Sequence, residues 1–182
     1  ITSKIKQRII GKGRGAIFAP LDFLDIGSRA SVDQALSRLA DQGVIRRLMR
    51  GLYDYPKKSQ RFGYLSPSAD DVAQAVARKD NQVLQPSPAM AANQLGLSTQ
   101  IPSKPTYMTD GPTRTKTVGR QVIQFRNASS KTLVGAGQKT GAVFQALRYV
   151  GKDRVDDLVI GKLARSLDGN DRALLSKQSK HV

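Results

Sequence analysis

An α+β fold of mainly helical character with little β structure, arranged as two units in series, is what this 182-residue sequence predicts, on three observations. Apolar residues recur at helical spacing through much of the chain. The strand-like runs are short, rich in β-branched or aromatic residues, and bounded by glycine or proline. Between residues 57 and 67 the chain turns polar and basic and contains Gly63 and Pro67, the composition of a linker. The expected boundaries are therefore residues 1–62 for a first domain and 68–182 for a second, mostly helical domain with a few strands. A chain of this length suffices for two modest cores.

The elements follow in order. Ile5, Ile9 and Ile10 stand at helical spacing among Lys4, Lys6 and Arg8, which predicts an amphipathic first helix over Ile1–Ile10, broken by Gly11, Gly13 and Gly15. Ala16-Ile17-Phe18 is a short apolar run, and Pro20 ahead of Leu21–Leu24 fits a brief helix with proline in its first turn. Ser28 is a good N-cap for a third helix, in which Val32, Leu36 and Leu39 recur at i, i+4 and i+7 before Gly43 stops it. Val44–Leu48 and Gly51–Tyr55, parted by Met49-Arg50 and closed by Pro56, read as a β-hairpin. Further on, Asp70–Lys79, Pro88–Leu95, Thr140–Val150 and Val155–Leu167 are helix candidates, and Thr106–Met108 and Gln121–Arg126 are strand candidates.

Three helices followed by a two-stranded hairpin is the order of a winged helix-turn-helix, in which the third helix enters the major groove of DNA. With Val32, Leu36 and Leu39 facing inward, Ala30, Ser31, Gln34, Ser37 and Arg38 fall on the opposite face. That face suits base-edge readout: Gln34 presents both donor and acceptor to adenine, and Arg38 pairs with guanine or a phosphate. Arg29 lies at the helix start, near a backbone phosphate. Arg46, Arg47, Arg50, Lys57, Lys58 and Arg61 then bring six cations into a stretch whose one acid is Asp54. Ser31, Gln34, Ser37 and Arg38 are the expected base-side contacts, with Arg29, Arg46, Arg47, Arg50, Lys57 and Lys58 as phosphate contacts. Plainer readings compete, namely a polar face that is only solvated and an edge hairpin that uses cations to discourage strand pairing. Tyr53 and Tyr55 fit the hairpin core better than base stacking.

The charge balance agrees with a polyanionic partner. Thirty Lys and Arg against 14 acids, all of them Asp, give a formal net charge of +16. No apolar stretch nears the roughly 20 residues that span a bilayer, so membrane residence is not expected. Charges interrupt Ile1–Ile10, unlike a signal peptide, and the expected location is the cytoplasm.

Catalysis is not expected. With no Cys there is no disulfide, thiol nucleophile or thiolate metal site, and the single His, His181, sits in a tail expected to be disordered. Asp70-Asp71 and Asp156-Asp157 are adjacent pairs that diverge on a helix. Gly135–Gly141 invites comparison with a phosphate-binding loop, but Gln138 and Val134 occupy the places where that motif needs glycine. Neither a metal nor another cofactor is expected.

Gly13–Leu24, Ser28–Leu39, Gly43–Arg47 and Arg50–Tyr53 together resemble the N-terminal domain of AbiEi-type antitoxins of type IV toxin-antitoxin systems and the related DUF6088 proteins, over roughly the first sixty residues. The resemblance implies an autorepressor that binds repeats in its own promoter, takes part in phage defence, and counteracts a nucleotidyltransferase-like toxin through its C-terminal domain. In such systems the toxin is a functional partner rather than a bound one. The alternative is a basic RNA-binding or ribosome-associated structural protein. A chromosomal neighbour of nucleotidyltransferase type would favour the first.

Overall fold

The computed structural model describes residues 1–181, so Val182, the last residue of the expected second domain, lies outside it. The architecture is α+β with helix predominating. Two compact units divide the chain: Ile1–Asp80 with Val118–Gln121, and Asn81–Thr117 with the residues from Val122 onward.

In the first unit, helix α1 (Thr2–Lys12) buries Ile5 and Ile9, one turn apart on a single face. Gly13 ends it with φ 82°, a left-handed conformation that only glycine adopts without strain. Strand β1 (Ile17–Phe18) leads into a 3₁₀ turn, Pro20–Phe23, where the Ala19 N–H donates to the Asp22 carboxylate at 2.8 Å. Helix α2 (Arg29–Asp41) starts at Ser28, whose hydroxyl accepts the Ser31 N–H, and buries Val32, Ala35, Leu36 and Leu39. Strands β2 (Arg46–Met49) and β3 (Leu52–Asp54) form the expected hairpin, closed by Arg50 and by Gly51 at φ 70°. β1 pairs antiparallel on the far side of β3, giving the order β1-β3-β2. The core joins Ile5, Ile9, Phe18, Phe23, Val32, Leu36, Leu39, Ile45 and Tyr53. Phe18 and Phe23 meet edge to face, with centroids 6.0 Å apart.

The hairpin register sets Arg46 opposite Asp54. Asp54 is 1% exposed. Arg46 donates to both of its carboxylate oxygens, Nε at 3.1 Å and Nη2 at 2.6 Å, and Nη2 also reaches the Leu65 carbonyl at 3.0 Å. The hydrogen bond to Asp54 raises the Arg46 pKa, against the opposing effect of burial.

Residues 57–67, expected as a linker, contain a second hairpin, β4 (Lys58–Ser59) with β5 (Gly63–Tyr64). Its polar composition hides the turn chemistry. The Ser59 hydroxyl accepts the N–H groups of Arg61 and Phe62 at 3.2 and 3.3 Å, and Gly63 turns back at φ 69°. Arg14 holds the Pro56 carbonyl at 3.0 Å, while Arg46 holds that of Leu65, so both stems of the hairpin are fixed.

Helix α3 (Ala69–Lys79) is capped by Ser68 and buries Val72, Ala73, Ala75, Val76 and Ala77. Its Arg78 donates to the Ile17 carbonyl at 3.1 Å and pairs with Asp22. The first unit therefore extends to Asp80, past the boundary expected between residues 62 and 68. The helix is amphipathic, and its periodicity could not tell which core would cover it.

Strands β6 (Leu84–Pro86), β7 (Thr106–Thr109), β8 (Arg114–Val118) and β9 (Gln121–Asn127), all but Val118 and Gln121 of whose residues belong to the second unit, form a sheet ordered β6-β7-β9-β8. β6 runs antiparallel and β9 parallel to β7. β6 and β8 lay outside the sequence expectation, one being three residues ending in proline and the other alternating Thr with cations. Helix α4 (Pro88–Gln94) packs on α5 (Lys139–Val150) through Ala91, Ala92 and Ala146. Helix α6 (Asp157–Ser166) brings Leu163, with Leu167, onto Val143 of α5. The tail expected to be disordered contains α7 (Gly169–Gln178), begun by a reciprocal Asp168–Asp171 cap.

The glycine-rich run ahead of α5 has a packing cause. Gly135 (φ 73°) lies so close to Gly141 that a Cβ there would stand 2.7 Å from the Gly141 nitrogen. Gln85 donates to the Gly141 carbonyl at 2.6 Å, and Thr140 is fully buried.

Replacing Arg46 with Ala strands the buried Asp54 carboxylate and is expected to cost about 2–4 kcal/mol in chemical denaturation of the full chain. Arg46→Lys should recover only part of this, because an ammonium cannot bridge both oxygens as the guanidinium does. Gly135→Ala combines a left-handed backbone with a steric clash and should cost about 2–3 kcal/mol by the same measurement.

Candidate nucleic-acid interface

The fold gives each expected contact a definite setting. On α2, Gln34, Ser37, Arg38 and Asp41 follow one another at i, i+3, i+4 and i+7 as one exposed stripe opposite the buried face. Among the described residues, the side chains of Gln34, Ser37 and Arg38 have no hydrogen-bond partner. They are open to an external donor or acceptor.

Two residues at the helix start are engaged differently. The Ser31 hydroxyl donates to the Ser28 carbonyl at 2.9 Å, which makes it part of the cap. Arg29 pairs with Asp33 at 2.9 Å, an exposed i,i+4 contact. Such a pair is worth about 0.3–0.5 kcal/mol, little enough for a phosphate to displace.

Among the hairpin cations, Arg46 is committed inward to Asp54 and Leu65, so its guanidinium supports the fold. Arg47 and Arg50 are exposed and have no ion pair among the described residues. Lys57 lays its alkyl stem across Gly15, which has no side chain to obstruct it. Lys58 places its ammonium 5.9 Å from the Tyr64 ring centroid. Because Arg46 and Asp54 cancel, five cations remain over this stretch: Arg47, Arg50, Lys57, Lys58 and Arg61. Tyr53 is buried, and Tyr55 is half-buried under the Arg14 guanidinium, 4.7 Å from its centroid.

The structure joins part of this set around one pocket of about 420 Å³, lined by Ser37, Ala40 and Asp41 of α2, Arg46 and Arg47 of β2, and Tyr53, Pro56 and Tyr64. The outward stripe of α2, the outer strand of the first hairpin and the base of the second hairpin thus adjoin. Gln34 and Arg38 lie on the same stripe as Ser37, whereas Arg50 sits at the far turn of the hairpin.

Sequence reasoning missed Phe62 and Tyr64, which are 73% and 59% exposed. The signal was present in two aromatic residues, Phe62 and Tyr64, that follow the three cations Lys57, Lys58 and Arg61. It was masked by reading the segment as a linker. Of the machinery other functions would require, no group of three or more metal-ligating His, Cys, Asp or Glu occurs among the described residues. No helix among the described residues is long and apolar enough to cross a membrane.

No curated protein matches the chain. A family model described as a family of unknown function, DUF6088, matches residues 4–174. That span is most of the sequence, and the chain belongs to the DUF6088 family.

Proposed function

We propose that this protein is a sequence-specific, duplex-DNA-binding transcriptional autorepressor whose first unit acts as a winged helix-turn-helix. The observation that carries the reading is the unpartnered stripe Gln34, Ser37 and Arg38, of which Ser37 lines one pocket with the unpaired Arg47. The order α1, 3₁₀ turn, α2 and a β1-β3-β2 sheet supports the same reading. α2 then enters the major groove with Gln34 and Arg38 at base edges, and Arg47, Arg50, Lys57 and Lys58 grip phosphate. Asp41, at the end of the stripe, repels phosphate. The earlier part of the helix is therefore the part that lies deepest in the groove. Arg46 acts here through the fold rather than through DNA. The chain works without catalysis, in keeping with its lack of Cys and its single His181.

The second unit, with its own core of Val143, Leu163 and Leu167, is the candidate effector. Resemblance to AbiEi-type antitoxins supports a role in opposing a nucleotidyltransferase-like toxin. A competing reading, binding to single-stranded RNA, draws on the exposed Phe62 and Tyr64, since aromatic faces stack on unpaired bases.

The test begins with a duplex selected by the full chain from a randomised pool. Gln34→Ala and Arg38→Ala should each lose about 1–3 kcal/mol on the selected duplex and almost nothing on random DNA. Equal losses on both would remove the base-reading role. Arg47→Ala and Arg50→Ala should weaken both duplexes alike and lower the salt slope by about 0.9 each. A preference for single-stranded RNA over the selected duplex would transfer the interface to the RNA reading.

For the second unit, full-length chain carrying both Gln34→Ala and Arg38→Ala should still restore growth to cells expressing the toxin from an unrelated promoter. Failure of that variant, with rescue by the unaltered chain, would place neutralisation in the DNA-binding surface.

A further inference from the structure

The hairpin β4–β5 presents Phe62 as its most exposed aromatic ring. Phe62 is 73% exposed at its tip, where a core-forming residue would be buried. The tip has its own turn chemistry: the Ser59 hydroxyl accepts the N–H groups of Arg61 and Phe62, and Gly63 closes the turn in a left-handed conformation. Its stems are clamped by Arg14 at Pro56 and Arg46 at Leu65. Cations accompany the exposed rings, Arg61 5.5 Å from the Phe62 centroid and Lys58 5.9 Å from that of Tyr64. Lys57 stands exposed directly before β4.

An exposed ring offered to water or to an apolar partner would not need this cationic escort. An exposed ring pressed into a polyanion would. Phosphates on either side of a groove neutralise Lys57, Lys58 and Arg61, while the ring enters the stack between them. The location agrees, since Tyr64 at the hairpin base and Ser37 on the α2 stripe line one pocket. The base of the second hairpin therefore adjoins the helix proposed to lie in the major groove.

We propose that the β4–β5 hairpin is a second DNA-contacting element, which inserts Phe62 as a wedge between base steps in the minor groove flanking the α2 site and bends the duplex. This rests on the duplex-binding reading given above. Flexible pyrimidine–purine steps are the sequences that yield most readily to such a wedge, so the hairpin adds specificity for deformability at positions where α2 makes no contact.

The test uses the full chain and a duplex that it selects from a randomised pool, labelled at both ends for energy transfer. The unaltered chain should bend the duplex, and Phe62→Ala should abolish the bend and weaken binding about tenfold. Phe62→Leu, which keeps an apolar wedge, should retain the bend and stay within about threefold of the unaltered affinity. Since Phe62 is exposed, both variants should keep the thermal midpoint of the parent. The selected duplexes should show a TA or CA step at a fixed distance from the α2 site. Unchanged bend and affinity in Phe62→Ala would overturn the wedge while leaving the α2 reading intact. A larger loss on a 30-nucleotide oligo(U) than on the duplex would also overturn it, by assigning the ring to single strands. If the full chain selected no duplex at all, both the wedge and the reading beneath it would fall together.

Discussion

Burying a carboxylate as fully as Asp54 is buried costs several kcal/mol unless a cation and hydrogen bonds replace its water. Arg46 supplies both, and the arrangement of the first unit's basic hairpins depends on it. One guanidinium ties β2 to β3 across their register and carries on to the Leu65 carbonyl at the foot of the second hairpin. Planarity matters here, because the fork that spans both Asp54 oxygens still has a donor directed toward Leu65. Arg46 shares the task of fixing the second hairpin with Arg14, which holds the other stem at Pro56. This basic stretch thus uses its one acid to turn one of six cations inward, which leaves five facing outward.

That arrangement separates two kinds of residue which composition treats alike. Arg46 and Arg47 are adjacent, equally cationic and on one strand, yet the strand's alternation sends the first to Asp54 and the second toward solvent. Arg29 and Arg38 differ in the same way, the first being held by Asp33 and the second open. Electrostatic attraction for a polyanion is a sum over all of them and tolerates such differences. Recognition does not, since it needs groups that are both unpartnered and fixed in place. On α2, Ser28 fixes the helix start, the buried Val32, Leu36 and Leu39 fix its rotation, and Gln34, Ser37 and Arg38 are left to face outward.

The second unit obeys a different logic. Small residues let its elements approach closely, Gly135 against Gly141 and Ala91 and Ala92 against Ala146. Gln85 then bridges from β6 to the start of α5, where Gly141 offers a carbonyl. A glycine-rich run ahead of a helix can cradle phosphate or allow backbone to meet backbone, and here the second use accounts for the residues. Lys139, the residue a phosphate loop would direct at its ligand, pairs instead with Asp171 at the start of α7.

Local chemistry determined what the sequence could disclose. Helical spacing with a serine cap defined α2 and its two faces, paired β-branched and aromatic runs defined the first hairpin, and the charge excess set the expectation of a polyanionic partner. These signals lie within a single element, or in a sum over the chain that needs no coordinates. The tertiary structure decided what depends on meetings between distant residues. Asp54 claimed Arg46, Asp22 and the Ile17 carbonyl claimed Arg78, and so carried α3 into the first unit. Ser59 and Gly63 folded a supposed linker into a hairpin that exposes Phe62. The physical reason is that a charge, a serine or a glycine has the same propensity wherever it stands. What it does is set by the partner that packing brings within a few ångströms, however far away that partner stands in the chain.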